Sequence, residues 1–312
     1  MKSTLQDFST PSSGSIQAIL DGCFFEARAK ATTGRVPAYI PRLAAVNQRW
    51  LAVQVLLLDG QQGAIGDVKQ PFALMSVIKP FVLLFLLEAI GQAAVFTKVG
   101  ILPSQQPFHS LAQLSADEGF PRNPMINSGA IALADCLPGV DGSSRCQTLC
   151  DWLNRLSGAN LYLDEAMLAS VRSVGNETNR AIATMVAEAG YLDSVELALD
   201  TYNHICCLAG TINDLAAIGL LLANPHRQIA ATHQQIVNAL MLTCGLYEAS
   251  GEFAVKVGVP AKSGVSGALL AVIPRRGVVA CYSPALDESG NSIASLCLLE
   301  KLTRSLNLNI FG

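Results

Sequence analysis

Phe72-Ala73-Leu74-Met75-Ser76-Val77-Ile78-Lys79-Pro80-Phe81 is the stretch on which the reading turns. It holds the chain's one S-x-x-K, Ser76 to Lys79, and leads into its greasiest run, Phe81 to Leu87. Residues three apart share a helix face, so a hydroxyl and an amine at this spacing can meet. Pro80 suits the first turn of a helix, where its missing N–H costs nothing. Ser76 is therefore expected at a helix N-terminus, facing the positive end of the dipole. Phe72, Met75 and Phe81 are expected to wall in Lys79. A lysine stripped of water gives up its proton more easily, and the neutral amine can then deprotonate a serine. Lys79 and Glu88 close the apolar run on both sides. That leaves fewer than the roughly 18 apolar residues of a membrane span, so a buried helix is expected.

S-x-x-K alone is short enough to recur by chance in roughly every few hundred residues. A second element adds weight. Lys262-Ser263-Gly264-Val265 precedes an apolar run that begins near Gly267. In serine acyl-transfer enzymes a K-[ST]-G strand lines the site opposite the nucleophile. Its backbone N–H and that of the nucleophile can together hold an oxyanion. Here the two elements occur in that order, the first opening a helix early and the second on a late strand.

The surrounding pattern predicts where both would sit. Residues 15–28 read as a helix and 29–36 as a loop. Strand patterns at 51–58 and 63–67 flank Asp59-Gly60, a strong hairpin signal. Residues 268–273 and 278–282 form a second hairpin around Pro274-Arg275-Arg276-Gly277, and 291–306 reads as a terminal helix. Between them, helical spacing recurs at 76–91, 126–137, 146–157, 179–190, 194–202, 212–223 and 233–243. The expected class is α+β, an antiparallel sheet from both chain ends with a helical lobe inserted. The sheet lobe takes about 15–70 and 246–312 and the helical lobe about 71–245. Both belong to one domain over 1–312, behind a polar, Ser-rich tail at 1–14.

Composition narrows the chemistry. Of 312 residues 51% are hydrophobic and only 14% charged, against roughly 25% charged in ordinary domains. So apolar a chain is expected to hide further surface between subunits, as a homodimer or homotetramer. With a net charge of −3 and no dense Lys/Arg cluster, there is no electrostatic footprint for nucleic acid. Nine cysteines follow no framework, and the four histidines sit near no C-x-x-C pair. Zinc is not expected, and free thiols fit a reducing cytoplasm. Met1 to Pro11 lacks the apolar core of a signal peptide.

Several segments resemble the bacterial glutaminase family. Gly34-Arg-Val-Pro-Ala-Tyr39-Ile-Pro is similar to its entrance motif, and Phe72 to Lys79 to its nucleophile segment. Asn123-Pro-Met-Ile-Asn127-Ser-Gly-Ala-Ile is the most specific match. Asn179-Arg-Ala-Ile-Ala, Asp200-Thr-Tyr202, Gly245-Leu-Tyr247, Val257 to Val265 and Ser283-Pro-Ala-Leu-Asp287 follow in the family's order. The resemblance covers about residues 15 to 311. It implies a β-lactamase/transpeptidase-like fold and hydrolysis of L-glutamine to L-glutamate and ammonia through a seryl ester, with no cofactor. By the same resemblance Ser76 is the nucleophile, Lys79 its base and Tyr247 a proton relay. Backbone N–H groups of Ser76 and Val265 form the oxyanion hole. Tyr39, Asn127, Asn179 and Tyr202 grip the amino-acid end, and Lys262 and Ser263 support the site. Taken singly, the residues have plainer readings: Asn127 and Asn179 as helix caps, Tyr202 as a core aromatic.

One departure bears on specificity. The family has a glutamate seven residues before the asparagine of Asn179-Arg-Ala-Ile-Ala, and here that position is Arg172. An arginine there would repel an α-ammonium and attract a carboxylate. The readings left open are that Glu177 supplies the carboxylate, that the substrate is a shifted amide, that turnover is lost, or that Arg172 points to solvent and pairs with Asp164 or Glu165. Ser266 and Ala268 stand where the family has glycines, and Cys206-Cys207 makes the text after Tyr202 more apolar. Since S-x-x-K and K-S-G also mark penicillin-interacting serine hydrolases, that class is a further alternative.

Overall fold

The structure is a computed structural model and describes residues 15–312. The tail read over 1–14, and the reading of Met1 to Pro11, lie outside the described residues. Eight strands are found among those described: β1 Ala52–Leu57, β2 Gln62–Gly66, β3 Phe72–Ala73, β4 Tyr162–Leu163, β5 Leu208–Gly210, β6 Ala261–Ser263, β7 Ala268–Ile273 and β8 Gly277–Tyr282. Five form an antiparallel sheet in the order β2-β1-β8-β7-β6. Strands from the two chain ends meet at the β1–β8 pair, where Ala52 faces Tyr282 and Leu57 faces Gly277. This is the expected α+β arrangement, and the fold is β-lactamase-like.

Strand periodicity builds a core on each face of this sheet. Along β7, Ala268, Leu270 and Val272 point toward the helical block. Leu269, Ala271 and Ile273 point the other way, into a core that the helices Ile16–Lys30 and Ile293–Leu306 help to close. Both faces are covered, so β7 and β8 are buried along their whole length and read as continuous apolar runs rather than alternating ones.

The helix that begins at Lys79 reaches a kink at Gly91, where its end was expected, and a second helical segment continues from there to Lys98. Gly91, at φ +81° and ψ 159°, is not helical and separates the two segments. By length and composition alone the stretch Met75–Lys98 is apolar enough to cross a membrane, but the break at Gly91 divides it. Residues Lys79 to Leu87 are nevertheless buried against the other helices. Apolar character on every side marks a helix packed at the centre of a core.

A second sheet, absent from the sequence reading, has the order β3-β5-β4. Phe72 pairs with Gly210 and Ala73 with Ala209, and the Leu74 N–H donates to Leu208 O at 2.7 Å. These pairings fix the segment entering Ser76 beside the end of the helix Val195–Cys206.

Candidate active site

Ser76 lies in a 3-10 turn, Met75–Ile78, which passes directly into the long helix. The sequence expectation placed it on an α-helix. In the tighter turn residues three apart eclipse one another, so Ser76 and Lys79 still share a side. Met75, just before the serine, holds φ +47°, and Tyr247 holds φ +57°. Left-handed backbone in residues with a Cβ costs about 1–3 kcal/mol each and persists where the surroundings enforce it. Here the short sheet fixes one segment and the packing of Gly245 the other. A Cβ at Gly245 would lie 1.8 Å from Ala261 O.

Lys79 is 2% exposed. Its Nζ donates to Asn127 Oδ1 at 2.9 Å and to Met125 O at 3.2 Å. Burial pulls its pKa down to about 8, because the charged amine loses its hydration. Asn127 is the hub of this corner. Its Oδ1 also accepts from Tyr202 Oη at 3.2 Å, and its Nδ2 donates to Asn179 Oδ1 at 2.9 Å. Neither asparagine side chain caps a helix. That task falls to Asn176, whose Oδ1 accepts the Asn179 N–H at 3.1 Å.

The K-S-G strand arrives from the other side. A Cβ on Gly264 would lie 2.7 Å from Leu74 O and 3.3 Å from Ser76 N. Only glycine allows this approach, which brings Val265 to the pocket beside the serine. Lys262 is fully buried, donating to Gly245 O at 2.9 Å and Ser263 O at 2.7 Å. Its Nζ sits 4.3 Å from the centre of the Tyr247 ring. Burial, reinforced by repulsion from Lys79, holds its pKa well below the ordinary lysine value.

Tyr247 lies between Lys262 and Phe108. Its hydroxyl is buried and has no hydrogen bond of ordinary geometry. Burial pushes its pKa up to about 12, against a smaller lowering from the hydroxyls of Ser76 and Ser263. Lys262, which burial holds toward its neutral form, gives the phenol little help to ionise.

These parts open onto a pocket of about 430 Å³. Ser76, Tyr39, Asn127, Asn179, Tyr202 and Val265 line it. Lys79, Lys262 and Ser263 are buried behind them. Other wall residues carried no signal in the sequence. Phe108 and His109 come from the irregular segment before Asn127, whose N–H donates to Phe108 O at 2.9 Å. The Phe108 ring packs against Tyr247 at 4.6 Å. Val171, Val174 and Cys206 complete the apolar part of the wall.

Arg172 takes no part in the lining. Its side chain is half exposed and pairs with Asp200 at 2.5 Å. Asp164, one of its expected partners, sits 3.7 Å from Arg42 instead. Glu177 is exposed in the first turn of the helix Glu177–Glu188 and does not line the pocket. In the segment 171–177, Val171, Val174, Gly175 and Asn176 line the pocket, whereas the charged Arg172 and Glu177 do not. Among the described residues, no group of three or more His, Cys, Asp or Glu is placed to hold a metal.

The glutaminase family model matches residues 34–311, a span that includes every residue of the site. The chain belongs to the glutaminase family. A glutaminase from Synechocystis sp. is 43% identical over 285 residues, covering 91% of this chain and 87% of that protein. One from Methylobacterium sp. is 40% identical, covering 92% and 96%. Among solved structures, the covalent complex between the Bacillus subtilis glutaminase YbgJ and 5-oxo-L-norleucine matches with a TM-score of 0.84. Its identity is 33%, covering 94% of this chain and 99% of that one. Mglu in its tris and glutamate form matches with a TM-score of 0.88 at 29% identity, covering 96% of this chain and 68% of that one. The glutaminase fold accounts for the paired sheets and for the meeting of the two chain ends at β1–β8.

Proposed function

We propose that the protein hydrolyses the side-chain amide of L-glutamine, giving L-glutamate and ammonia, through an ester on Ser76. The observation that carries this reading is the convergence at Ser76 of a water-stripped lysine, a buried tyrosine and the glycine edge of the K-S-G strand. Ser76 Oγ attacks the amide carbon while its proton passes to Lys79 Nζ. The carbonyl oxygen takes the negative charge, and the backbone N–H groups of Ser76 and Val265 hold it. As the intermediate collapses, the C–N bond breaks. The departing nitrogen takes a proton from Lys79, with the Tyr247 hydroxyl as relay, and leaves as ammonia. Water then attacks the ester, giving up a proton along the same route, and glutamate leaves.

Tyr39, Asn127, Asn179 and Tyr202 are assigned to the substrate's other end, and Lys262 and Ser263 to holding Tyr247 and the strand. Lys79 Nζ must swing from Asn127 toward Ser76 to act. Hydrogen bonds in an unoccupied active site commonly tighten only in the substrate complex. The covalent complex of YbgJ with 5-oxo-L-norleucine, formed by reaction with 6-diazo-5-oxo-L-norleucine, supports covalent chemistry by a nucleophile in this family. Nine unpaired cysteines support a reducing, cytoplasmic setting.

The test is ammonia release from L-glutamine together with labelling by 6-diazo-5-oxo-L-norleucine. The native chain should release ammonia and gain a covalent adduct that maps to Ser76. Ser76→Ala should lose the adduct and fall by about 10⁶-fold in kcat, the scale seen when a serine nucleophile is removed. An adduct on any other residue would overturn the assignment.

A further inference from the structure

The walls of the pocket that contains Ser76 carry no fixed charge. Among the described residues lining it there is no Asp, Glu, Lys or Arg, and its polar groups are asparagine amides, hydroxyls and the His109 ring. The charged side chains nearest in sequence are committed elsewhere, Arg172 to Asp200 and Glu177 to solvent. Val171 and Val174 line the pocket in their place. They are three apart, Val171 in the last turn of the helix Glu165–Ser173 and Val174 at its C-cap, hence on one side, where they border the open part of the pocket, Val171 partly buried and Val174 exposed. Behind the serine lie two buried lysines that repel each other.

An α-ammonium entering such a pocket exchanges water for a wall without an acid. A buried charge without a partner is costly, and here the nearest fixed groups are themselves bases. An acyl group on the α-nitrogen removes that charge. It leaves an N–H for an asparagine carbonyl and adds an apolar end for the valines.

We infer that the preferred substrates are γ-carboxamides whose α-nitrogen is acylated, and that the Val171–Val174 face sets this preference. The inference rests on the amide-hydrolase reading above and names the substrate class for the same reaction. It is tested by kcat/KM for ammonia release from N-acetyl-L-glutamine and from L-glutamine, in the native chain, Val171→Glu and Val171→Gln. The native chain should favour N-acetyl-L-glutamine by about tenfold. Val171→Glu should raise L-glutamine turnover about tenfold, mainly through a lower KM, and depress that of the acetylated amide. Val171→Gln, polar without the charge, should bring no such gain for L-glutamine.

A native ratio at or below one overturns the inference while leaving the amide-hydrolase reading intact. A native preference that Val171→Glu leaves unmoved overturns the assignment to this face. No ammonia from either amide overturns the hydrolase reading, and the inference with it. The native ratio needs no variant, so it decides even if Val171→Glu fails to fold.

Discussion

At the scale of single residues, the chemistry rests on one amine kept out of water. The pKa of Lys79 falls to about 8 because burial leaves its charged form unhydrated. Only the neutral amine can accept the Ser76 proton, so activity is lost as pH falls through that value. The expected kcat/KM profile therefore rises with pH, with its midpoint near 8, and levels above. Lys79→Met should lie far below it and lack the rise. The sign for stability follows from the same shift. Between about 8 and the ordinary 10.5, the unfolded chain binds more protons than the folded one, so stability rises with pH. Urea titrations at pH 8 and pH 10 should show the native chain gaining over Lys79→Met. A gap independent of pH would mean that the amine is not desolvated.

Elements bring these residues together, and glycine sets how closely. Gly264 lets β6 lead its chain against the backbone of Ser76, where a Cβ would be 2.7 Å from Leu74 O. Gly264→Ala should push the strand and Val265 away from the serine. A displacement near 1 Å at a reacting centre costs about 10²-fold, so kcat should fall at least tenfold with a smaller change in Tm. An unchanged kcat would remove Val265 from the oxyanion hole. Legibility at this scale follows length and periodicity. The strands at 51–58 and 268–273, and the helix at 212–223, carry enough apolar residues to declare themselves and lie within a residue of expectation. β3, β4 and β5 have two or three residues each, too few for a period of two to register. The helices Leu111–Ala116, Glu165–Ser173 and Ser250–Lys256 were missed for a similar reason, being short or weakly patterned. One of them carries Val171.

For the whole molecule, we propose that 1–312 forms one cooperative domain and assembles as a homodimer or homotetramer. The sheet is buried on both faces, so neither lobe keeps a closed core without the other. Phe25, Val140, Val255 and Phe311 are largely exposed, leaving apolar surface for a partner copy to cover. Calorimetry should give a single transition whose midpoint rises with protein concentration, since association stabilises the folded state by mass action. Two separate transitions, or a midpoint independent of concentration, would count against the two halves of this proposal respectively.

Much about this protein was written in residue order. S-x-x-K before Pro80, K-S-G before an apolar run, and the hairpins at both ends placed the serine, the lysine and the central sheet, because spacing along a chain maps directly onto helix faces and strand faces. The tertiary structure alone decided what the charges do. Arg172 turns to Asp200, Tyr247 has its proton held by burial, and two valines take the wall that a charged neighbour was expected to occupy. Those outcomes depend on which side chains lose water together, and that is set by contacts between segments far apart in the sequence.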